Sequence, residues 1–146
     1  MFRMPNMKYT IQPCTDGDAD IITDRLVAYN LSQVPAEQSE LFCPIERKIV
    51  APDGSLIAGC LAVVYCWNIA FIDILWVDES YRRQGLGREL LRAVEGEARE
   101  KGCRLVHLDT FDFQGKAFYE KNGYTVFGTL EDCPKGHCRY YMSKML

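Results

Sequence analysis

The sequence lacks several features that would place it in a class of protein at once. It has only two histidines, no Cys-x-x-Cys pair and a formal net charge of −3, so no excess of positive charge would recruit nucleic acid. No uninterrupted apolar run approaches the roughly 20 residues that a membrane span requires. The first residues, MFRMPNMKYT, lack the apolar segment of a signal peptide. We therefore expect a cytoplasmic protein whose partners include neither a membrane nor nucleic acid.

Cysteine is abundant, but its arrangement argues against disulfides and metal. The chain has seven cysteines, an odd number without the spacing of a disulfide framework. Cys133, His137 and Cys138 come nearest to a metal-binding cluster. His137 and Cys138 are adjacent, so they would point apart on a strand, and a fourth ligand is missing. We predict reduced thiols and no bound metal.

The length and the apolar patterns predict one α/β domain over residues 1–146, with a mixed sheet. Strands are indicated by alternating or β-rich runs, and helices by apolar residues at helical spacing. PAEQSELF, from Pro35, is predicted as a short second helix. IAFIDILWV reads as a strand buried on both faces. The predicted order of elements is β-α-α-β-β-β-α-β-α-β-β.

The stretch DESYRRQGLGRELL, residues 78–91, predicts an anion site at the start of a helix. Gly85 and Gly87 would let a ligand approach the main chain, and Arg82 and Arg83 supply positive charge. Neither a P-loop GxxxxGK[ST] nor a dinucleotide-binding GxGxxG motif is present. The alternative is a helix start whose glycines serve only tight packing.

Two motifs together resemble a known family. RRQGLG has the form [QR]-x-x-G-x-[GA] after a strand ending LWVDESY, and GKAFYEKNGYTVFG, which begins at Gly115, matches A/G-x-x-F/L-Y-x-K-x-G-[FY]. In this order they resemble the GNAT superfamily of N-acetyltransferases, with a motif-level match over about residues 71–128. The resemblance implies a mixed, mostly antiparallel sheet of about seven strands with about four helices. It also implies acetyl-coenzyme A as co-substrate.

The resemblance assigns the anion to the pyrophosphate of acetyl-coenzyme A, held by the loop amides. The strand before the loop is expected to splay from its neighbour, so that its free backbone groups bind the pantetheine amides. Asp112 stands where the family often has asparagine, and an ionised carboxylate cannot donate a hydrogen bond. The coenzyme-binding residues implied are Leu75, Trp76, Val77, Arg82, Arg83, Gln84, Gly85, Leu86, Gly87, Arg88, Asp112, Phe118, Tyr119 and Lys121.

Tyr119 occupies the position of the family's tyrosine, which implies that it protonates the departing thiolate. The alternative is a buried tyrosine that packs beside Phe118. His137 precedes the last strand and is a candidate base, with an exposed loop histidine as the alternative. We interpret His107 as structural and Asp109 as a weak candidate for the site.

Asp73 is the other candidate base, because a carboxylate inside an apolar strand requires a reason. Strand alternation would place Asp73 on one face with Phe71, Leu75 and Val77. The resemblance implies that Asp73 accepts a proton from the acceptor amine, directly or through water. An ion pair with Arg47 is the alternative.

The predicted activity is acetyl transfer to an amine, by direct attack in a ternary complex, with a small molecule as the acceptor. The alternatives are a regulator that binds an acyl-coenzyme A without turnover and an N-acetyltransferase for proteins or peptides. Dimers are common among relatives, so the resemblance leaves a homodimer open. The residues expected around the acceptor are Tyr29, Asn30, Gln33, Trp67, Asp73, Trp76 and His137.

Overall fold

The computed structural model describes residues 2–3 and 8–146 and divides the chain into a first unit, residues 1–36, and a second, residues 37–146. In the first unit, β1 (Phe2–Arg3) pairs antiparallel with β2 (Thr10–Ile11), and α1 spans Asp18–Gln33. The weak alternation of KYTIQPCT predicts a strand, which is confirmed only at Thr10–Ile11. A single domain over the whole chain stays a prediction.

A six-stranded sheet forms the second unit, in the order β3-β4-β5-β6-β8-β7. Strands β5 and β6 run parallel, and the other neighbouring strands run antiparallel. A short 3₁₀ turn, Glu79–Tyr81, precedes α2. The remaining elements are β3 (Phe42–Val50), β4 (Leu56–Tyr65), β5 (Ile69–Val77), α2 (Leu86–Glu100), β6 (Leu105–Phe111), α3 (Lys116–Lys121), β7 (Thr125–Glu131) and β8 (Cys138–Met145).

The predicted α/β class with a mostly antiparallel sheet is confirmed, but the helix predicted from Pro35 is wrong. The backbone N–H of Glu37 donates to the carbonyl of Cys66, 2.9 Å away, instead of entering a helical turn. The side-chain amide of Gln38 donates to the carbonyl of Val64 at 3.0 Å. These hydrogen bonds hold the segment against the β4–β5 hairpin. The tertiary contacts therefore override the weak helix propensity of the segment.

The core lies between the sheet and α2. The buried stripe of this helix is Leu90, Leu91, Val94, Glu95 and Ala98, close to the predicted apolar positions. Glu95 is 3% exposed and pairs with Lys144 on β8, with Nζ 2.6 Å from Oε2. Among the residues that the structure describes, no helix is long and apolar enough to cross a membrane.

Strand β5 carries an irregularity that positions the site. Leu61 lies opposite Ile74 and Ala62 lies opposite Ile72, so Asp73 is an extra residue with no partner on β4. Such a β-bulge reverses the alternation of side chains along the strand. Ala70 and Ile72 are in the core before the bulge, whereas Leu75 and Val77 pack against the core after it.

Two predictions about β5 are corrected by this bulge. Asp73 does not share a face with Leu75 and Val77, because the extra residue shifts them by one position. The strand is also not buried on both faces, since Ile74 and Trp76 are 48% and 41% exposed. The second half of β5 is apolar because its residues line a cavity.

Candidate functional site

A cavity of about 750 Å³ opens where β5 and β6 separate. The two strands pair from Ile69 to Ile72 on β5 and from Leu105 to Leu108 on β6, and they diverge beyond those residues. We call one part of the lining the loop side, formed by Tyr81–Arg83, Gly85–Arg88 and Phe118. The part that we call the sheet side is formed by Phe71, Asp73, Asp109, Phe111, Phe113 and Arg139. Tyr119 also lines the cavity.

Backbone groups dominate the loop side. Gly85 caps α2 in the left-handed region, with φ +83°, and its carbonyl accepts the first helical hydrogen bond from the N–H of Glu89 at 3.1 Å. The N–H groups of the first turn of a helix have no partner inside it. Those of Leu86, Gly87 and Arg88 are therefore available to a ligand in the cavity, at the positive end of the helix dipole.

The two glycines of the loop serve different purposes. Gly85 needs its positive φ, and a Cβ there would meet no atom within 4 Å. A Cβ on Gly87 would come within 3.4 Å of the Phe118 ring and 3.6 Å of the Val77 side chain. These are ordinary van der Waals distances, so a single methyl group would fit at Gly87 and only a larger side chain would press against β5 and α3. Gly87 also lines the cavity, where its amide is available to a ligand.

Arginines supply the formal charge of the loop side. Arg83 adopts a left-handed backbone conformation, with φ +64°, and lines the cavity with Arg88. The Nε of Arg82 donates to the carbonyl of Val77 at 3.0 Å, so that carbonyl already has one partner. The arrangement of arginines and amides fits a polyanion such as a pyrophosphate.

Tyr119 lies at the back of the cavity in α3 and is 8% exposed. Burial raises the pKa of its phenol to about 12, with smaller contributions from Cys60 and Asp109. Its ring meets those of Phe118 and Tyr124 edge-on, and its hydroxyl has no hydrogen-bond partner among residues 8–146. Tyr119 therefore holds a proton at neutral pH and can donate it to a ligand.

Gly115 makes room for the Tyr119 ring. A Cβ at this position would lie 3.2 Å from Cε2 of the tyrosine, which is tighter than ordinary van der Waals contact. The N–H of Gly115 donates to the hydroxyl of the buried Thr110 at 3.2 Å, which fixes the start of α3. The glycine and the turn before it set the position of the phenol.

Asp73 points to the cavity from the bulge of β5 and is exposed. Within residues 8–146 it has neither a hydrogen-bond nor an ion-pair partner. Arg47, the alternative partner, pairs with Glu97 of α2 instead. The Asp73 carboxylate is therefore an uncompensated negative charge on the sheet side.

An ion pair that the sequence did not predict also lines the sheet side. Arg139 on β8 donates from Nε and Nη2 to Oδ1 of Asp109 on β6, at 2.9 and 2.6 Å. The guanidinium lies over the rings of Phe111 and Tyr141. Hydrogen bonding to Asp109 raises the pKa of Arg139 further, so this charge is permanent.

Asp112 and His137 pair with each other outside the described cavity lining. His137 Nδ1 lies 2.8 Å from Oδ1 of Asp112, and the N–H of Cys138 donates to Oδ2 at 2.9 Å. The hydrogen bond from Cys138, with a smaller effect of His137, holds the pKa of Asp112 below its usual range. Asp112 closes the β7–β8 loop onto the end of β6, so its proposed contact with the coenzyme has no support in this geometry.

His107 hydrogen-bonds to Tyr65, with Nε2 2.8 Å from the phenol oxygen. Its ring contacts Phe71, and burial lowers the pKa of the imidazole. This supports the interpretation of His107 as structural.

The structure brings most of the predicted site residues together. Those that line the cavity are Asp73, Leu75, Trp76, Val77, Arg82, Arg83, Gly85, Leu86, Gly87, Arg88, Phe118 and Tyr119. Gln84, Trp67, Asp112, Lys121 and His137 lie in the second unit but outside the described lining. Tyr29, Asn30 and Gln33 lie on the last turns of α1, in the first unit. The roles assigned to these residues stay predictions.

Arg139 is the main residue of the site that sequence reasoning missed. A single arginine in RYY carries no motif, and its relation to Asp109 depends on the pairing of β6 with β8. In that register Phe111 faces Arg139 and Asp109 faces Tyr141, which makes Arg139 and Asp109 diagonal neighbours. Only a strand alignment could have revealed the pair.

Known proteins resemble this chain in sequence and in fold. The sequence profile of the Acetyltransferase (GNAT) family matches residues 19–124. A crystal structure of an acetyltransferase from Bacillus cereus is 37% identical, with a TM-score of 0.87 over 94% of this chain and 98% of that one.

Two curated relatives agree with this match. The blasticidin-S acetyltransferase of Streptomyces morookaense is 36% identical over 94 residues, which are 64% of this chain and 68% of that protein. An acetyltransferase of Agrobacterium fabrum is 29% identical over 140 residues, 94% of this chain and 98% of that one.

Proposed function

Since the chain belongs to the GNAT acetyltransferase family and is an acetyl-coenzyme A-dependent N-acetyltransferase, we propose that its acceptor is the amine of a small cationic molecule. One observation carries the proposal. A single cavity combines available amides on the loop side with the uncompensated carboxylate of Asp73 on the sheet side, and Tyr119 lines it too.

The loop side fits the coenzyme. The pyrophosphate would accept hydrogen bonds from the amides of Leu86, Gly87 and Arg88, and Arg83 would add charge. Beyond Ile72, β5 no longer pairs with β6, so the edge of Leu75–Val77 can bind the amides of the pantetheine arm as a neighbouring strand would.

Acetyl-coenzyme A supplies an acetyl group as a thioester, which an amine attacks at the carbonyl carbon. As the carbon–nitrogen bond forms and the carbon–sulfur bond breaks, the Tyr119 hydroxyl donates its proton to the departing sulfur. Asp73 takes the proton that the amine loses, directly or through one water. Asp73 then releases its proton to solvent and the Tyr119 phenolate takes one up, so both groups return to their starting forms.

The sheet side supports a cationic acceptor. An ammonium group would be attracted by the unpaired Asp73 carboxylate, and the stacked rings of Phe111 and Phe113, 5.2 Å apart, offer apolar surface beside it. Acetylation of antibiotics is named for the relative from Streptomyces morookaense. We therefore propose antibiotics and other small amines ahead of proteins or peptides as acceptors.

Two alternatives differ from this proposal in what they require. A non-catalytic regulator needs the coenzyme-binding loop but neither Tyr119 nor Asp73 in the cavity. A base role for His137 would require the imidazole to leave Asp112 and approach the cavity. We further propose a cytoplasmic location, which the seven free thiols support.

The experiment is a screen of acceptors with acetyl-coenzyme A, monitored by release of free thiol. The panel would contain nucleoside antibiotics, streptothricins, aminoglycosides, simple amines, amino acids and peptides with a free N-terminus. We expect turnover with a small cationic amine. Binding of the coenzyme without turnover of any member would favour the regulator, and turnover confined to peptides would favour the peptide enzyme.

A further inference from the structure

We propose that Arg139 determines how many positive charges the acceptor carries. By neutralising Asp109, Arg139 makes the sheet side favour an acceptor with one positive charge over an acceptor with two. This inference rests on the proposed function, because it concerns the acceptor of that same site. It assigns a role in specificity to a residue that belongs to no motif of the sequence.

The carboxylates of Asp73 and Asp109 occupy equivalent places on the two diverging strands. Ile72 and Leu108 form the last pair between β5 and β6, and the next residue on each strand is an aspartate that lines the cavity. Without other charges, two carboxylates flanking one opening would favour a ligand with two ammonium groups.

Arg139 cancels one of these two charges. Its Nε and Nη2 both donate to Oδ1 of Asp109, and the two side chains are 34% and 21% exposed. The rings of Phe111 and Tyr141 lie 5.3 and 5.6 Å from the guanidinium carbon, which restricts its movement. The sheet side thus has two acidic groups and one basic group, with a net charge of −1 at Asp73.

Loss of the guanidinium would leave Asp109 without a partner in a partly desolvated wall. A buried or half-buried carboxylate without a partner is unfavourable, and a second ammonium group from the ligand would relieve that cost. Specificity is a difference between two affinities, so the same change should help a diamine and leave a monoamine almost unaffected.

The test compares pentylamine with pentane-1,5-diamine as probes. Their dissociation constants are measured by calorimetry on the whole chain saturated with coenzyme A. The variants are Arg139→Gln, Arg139→Lys, and Arg139→Gln combined with Asp109→Asn. Lys135→Gln is the matched control, because it removes the same charge from an exposed loop residue outside the cavity lining.

We expect Arg139→Gln to raise the preference for the diamine by about three- to tenfold, the scale of one ammonium–carboxylate contact. Arg139→Lys, Lys135→Gln and the double variant should keep the original preference. The double variant lacks the ion pair, but it also leaves no unpaired carboxylate at position 109. A preference that changes in Arg139→Gln and not in the double variant therefore comes from the charge of Asp109 and not from a failure to fold.

An unchanged preference in folded Arg139→Gln would overturn the proposal, as would an equal rise in Lys135→Gln. Failure of both amines to bind to any variant would also overturn it. Calorimetry requires no turnover. If the acceptor screen finds no substrate while the diamine preference shifts as expected, the proposed acceptor class fails, and the role of Arg139 in setting the preference of the cavity between monoamines and diamines stands.

Discussion

The two sides of the cavity are built from different parts of the chain. The loop side presents the main-chain amides of three consecutive residues, Leu86–Arg88, with arginines from the same short loop and the ring of Phe118 from α3. The sheet side presents side chains from three strands that are distant in sequence: Asp73 on β5, Asp109 on β6 and Arg139 on β8. A backbone site restricts the sequence locally, whereas a side-chain site depends on strand register.

Because the two sides are built differently, each suits a different ligand. Amides at a helix start recognise any pyrophosphate, so the loop side suits a co-substrate that a whole family shares. Side chains on the sheet side can change one at a time without disturbing the backbone, so this side suits an acceptor that differs between relatives. Tyr119 belongs to neither side, and its proposed role is to protonate the departing sulfur in the reaction between them.

The largest expected effect tests whether Tyr119 acts in the reaction or only in packing. Tyr119→Phe keeps the ring contacts with Phe118 and Tyr124 but removes the proton at the cavity. We expect kcat and kcat/KM to fall together by roughly 10²–10⁴-fold, the scale of losing a general acid. Steady-state thiol release with an acceptor from the screen would measure this.

Coenzyme affinity provides the control for Tyr119→Phe. One neutral hydrogen bond contributes about 0.5–1.5 kcal/mol, so the dissociation constant of the coenzyme should change little. Near-normal turnover in a folded variant would assign Tyr119 to packing, and water or another group would have to protonate the sulfur.

The next effect tests whether the loop side binds the coenzyme through its backbone. Gly87→Val places methyl groups where a Cβ alone would already lie 3.4 Å from the Phe118 ring. The start of α2 must shift, and two amide hydrogen bonds to the ligand would be lost or lengthened. We expect a dissociation constant for coenzyme A that is higher by about 10–100-fold in calorimetry.

Gly96→Val is the matched control for that substitution. Gly96 lies in the same helix, and a Cβ there would meet no atom within 4 Å. Affinity should stay near that of the original chain. Equal affinity in both variants would mean that the coenzyme does not depend on close approach to Gly87.

The two sides also differ in how far the sequence alone predicts them. Helix α2 and the loop before it follow from local signals, and both were predicted. The bulge at Asp73 was not, because an extra residue in one strand is visible only against its partner strand. For the same reason the sequence gives no sign of the pair between Arg139 and Asp109, whose contact depends on register.

The segment after Pro35 shows a second reason why the sequence alone does not predict the whole structure. Its proline and polar residues are typical of a helix start, but the side chain of Gln38 bonds to the carbonyl of Val64 and accepts from the N–H of Asn68. Partners 26 and 30 residues away decide the conformation of this segment. Local propensity is a weak guide wherever such contacts exist.

The smallest expected effect separates the loop side from the core by pH. Arginine side chains, which charge the loop side, stay ionised in folded proteins. In the core, burial raises the pKa of the Cys60 thiol from 9.0 to about 11 and that of Tyr119 from 10.0 to about 12. Alkaline pH should therefore act on these core groups and not on the arginines.

The direction of the change in stability follows from how many protons the folded and the unfolded chain bind. Well below pH 9, as at pH 7, both groups are neutral whether the chain is folded or unfolded, so they contribute no pH dependence. Above pH 9 the unfolded chain releases the Cys60 proton while the folded chain retains it, so the free energy of unfolding falls as pH rises. At pH 10 we expect a loss of about 1 kcal/mol from Cys60, with a smaller part from Tyr119. Urea unfolding with reductant at pH 7 and pH 10 measures this loss, and Cys60→Ala should lose less between the two pH values. The same loss in both proteins would mean that the Cys60 thiol is not held neutral by burial.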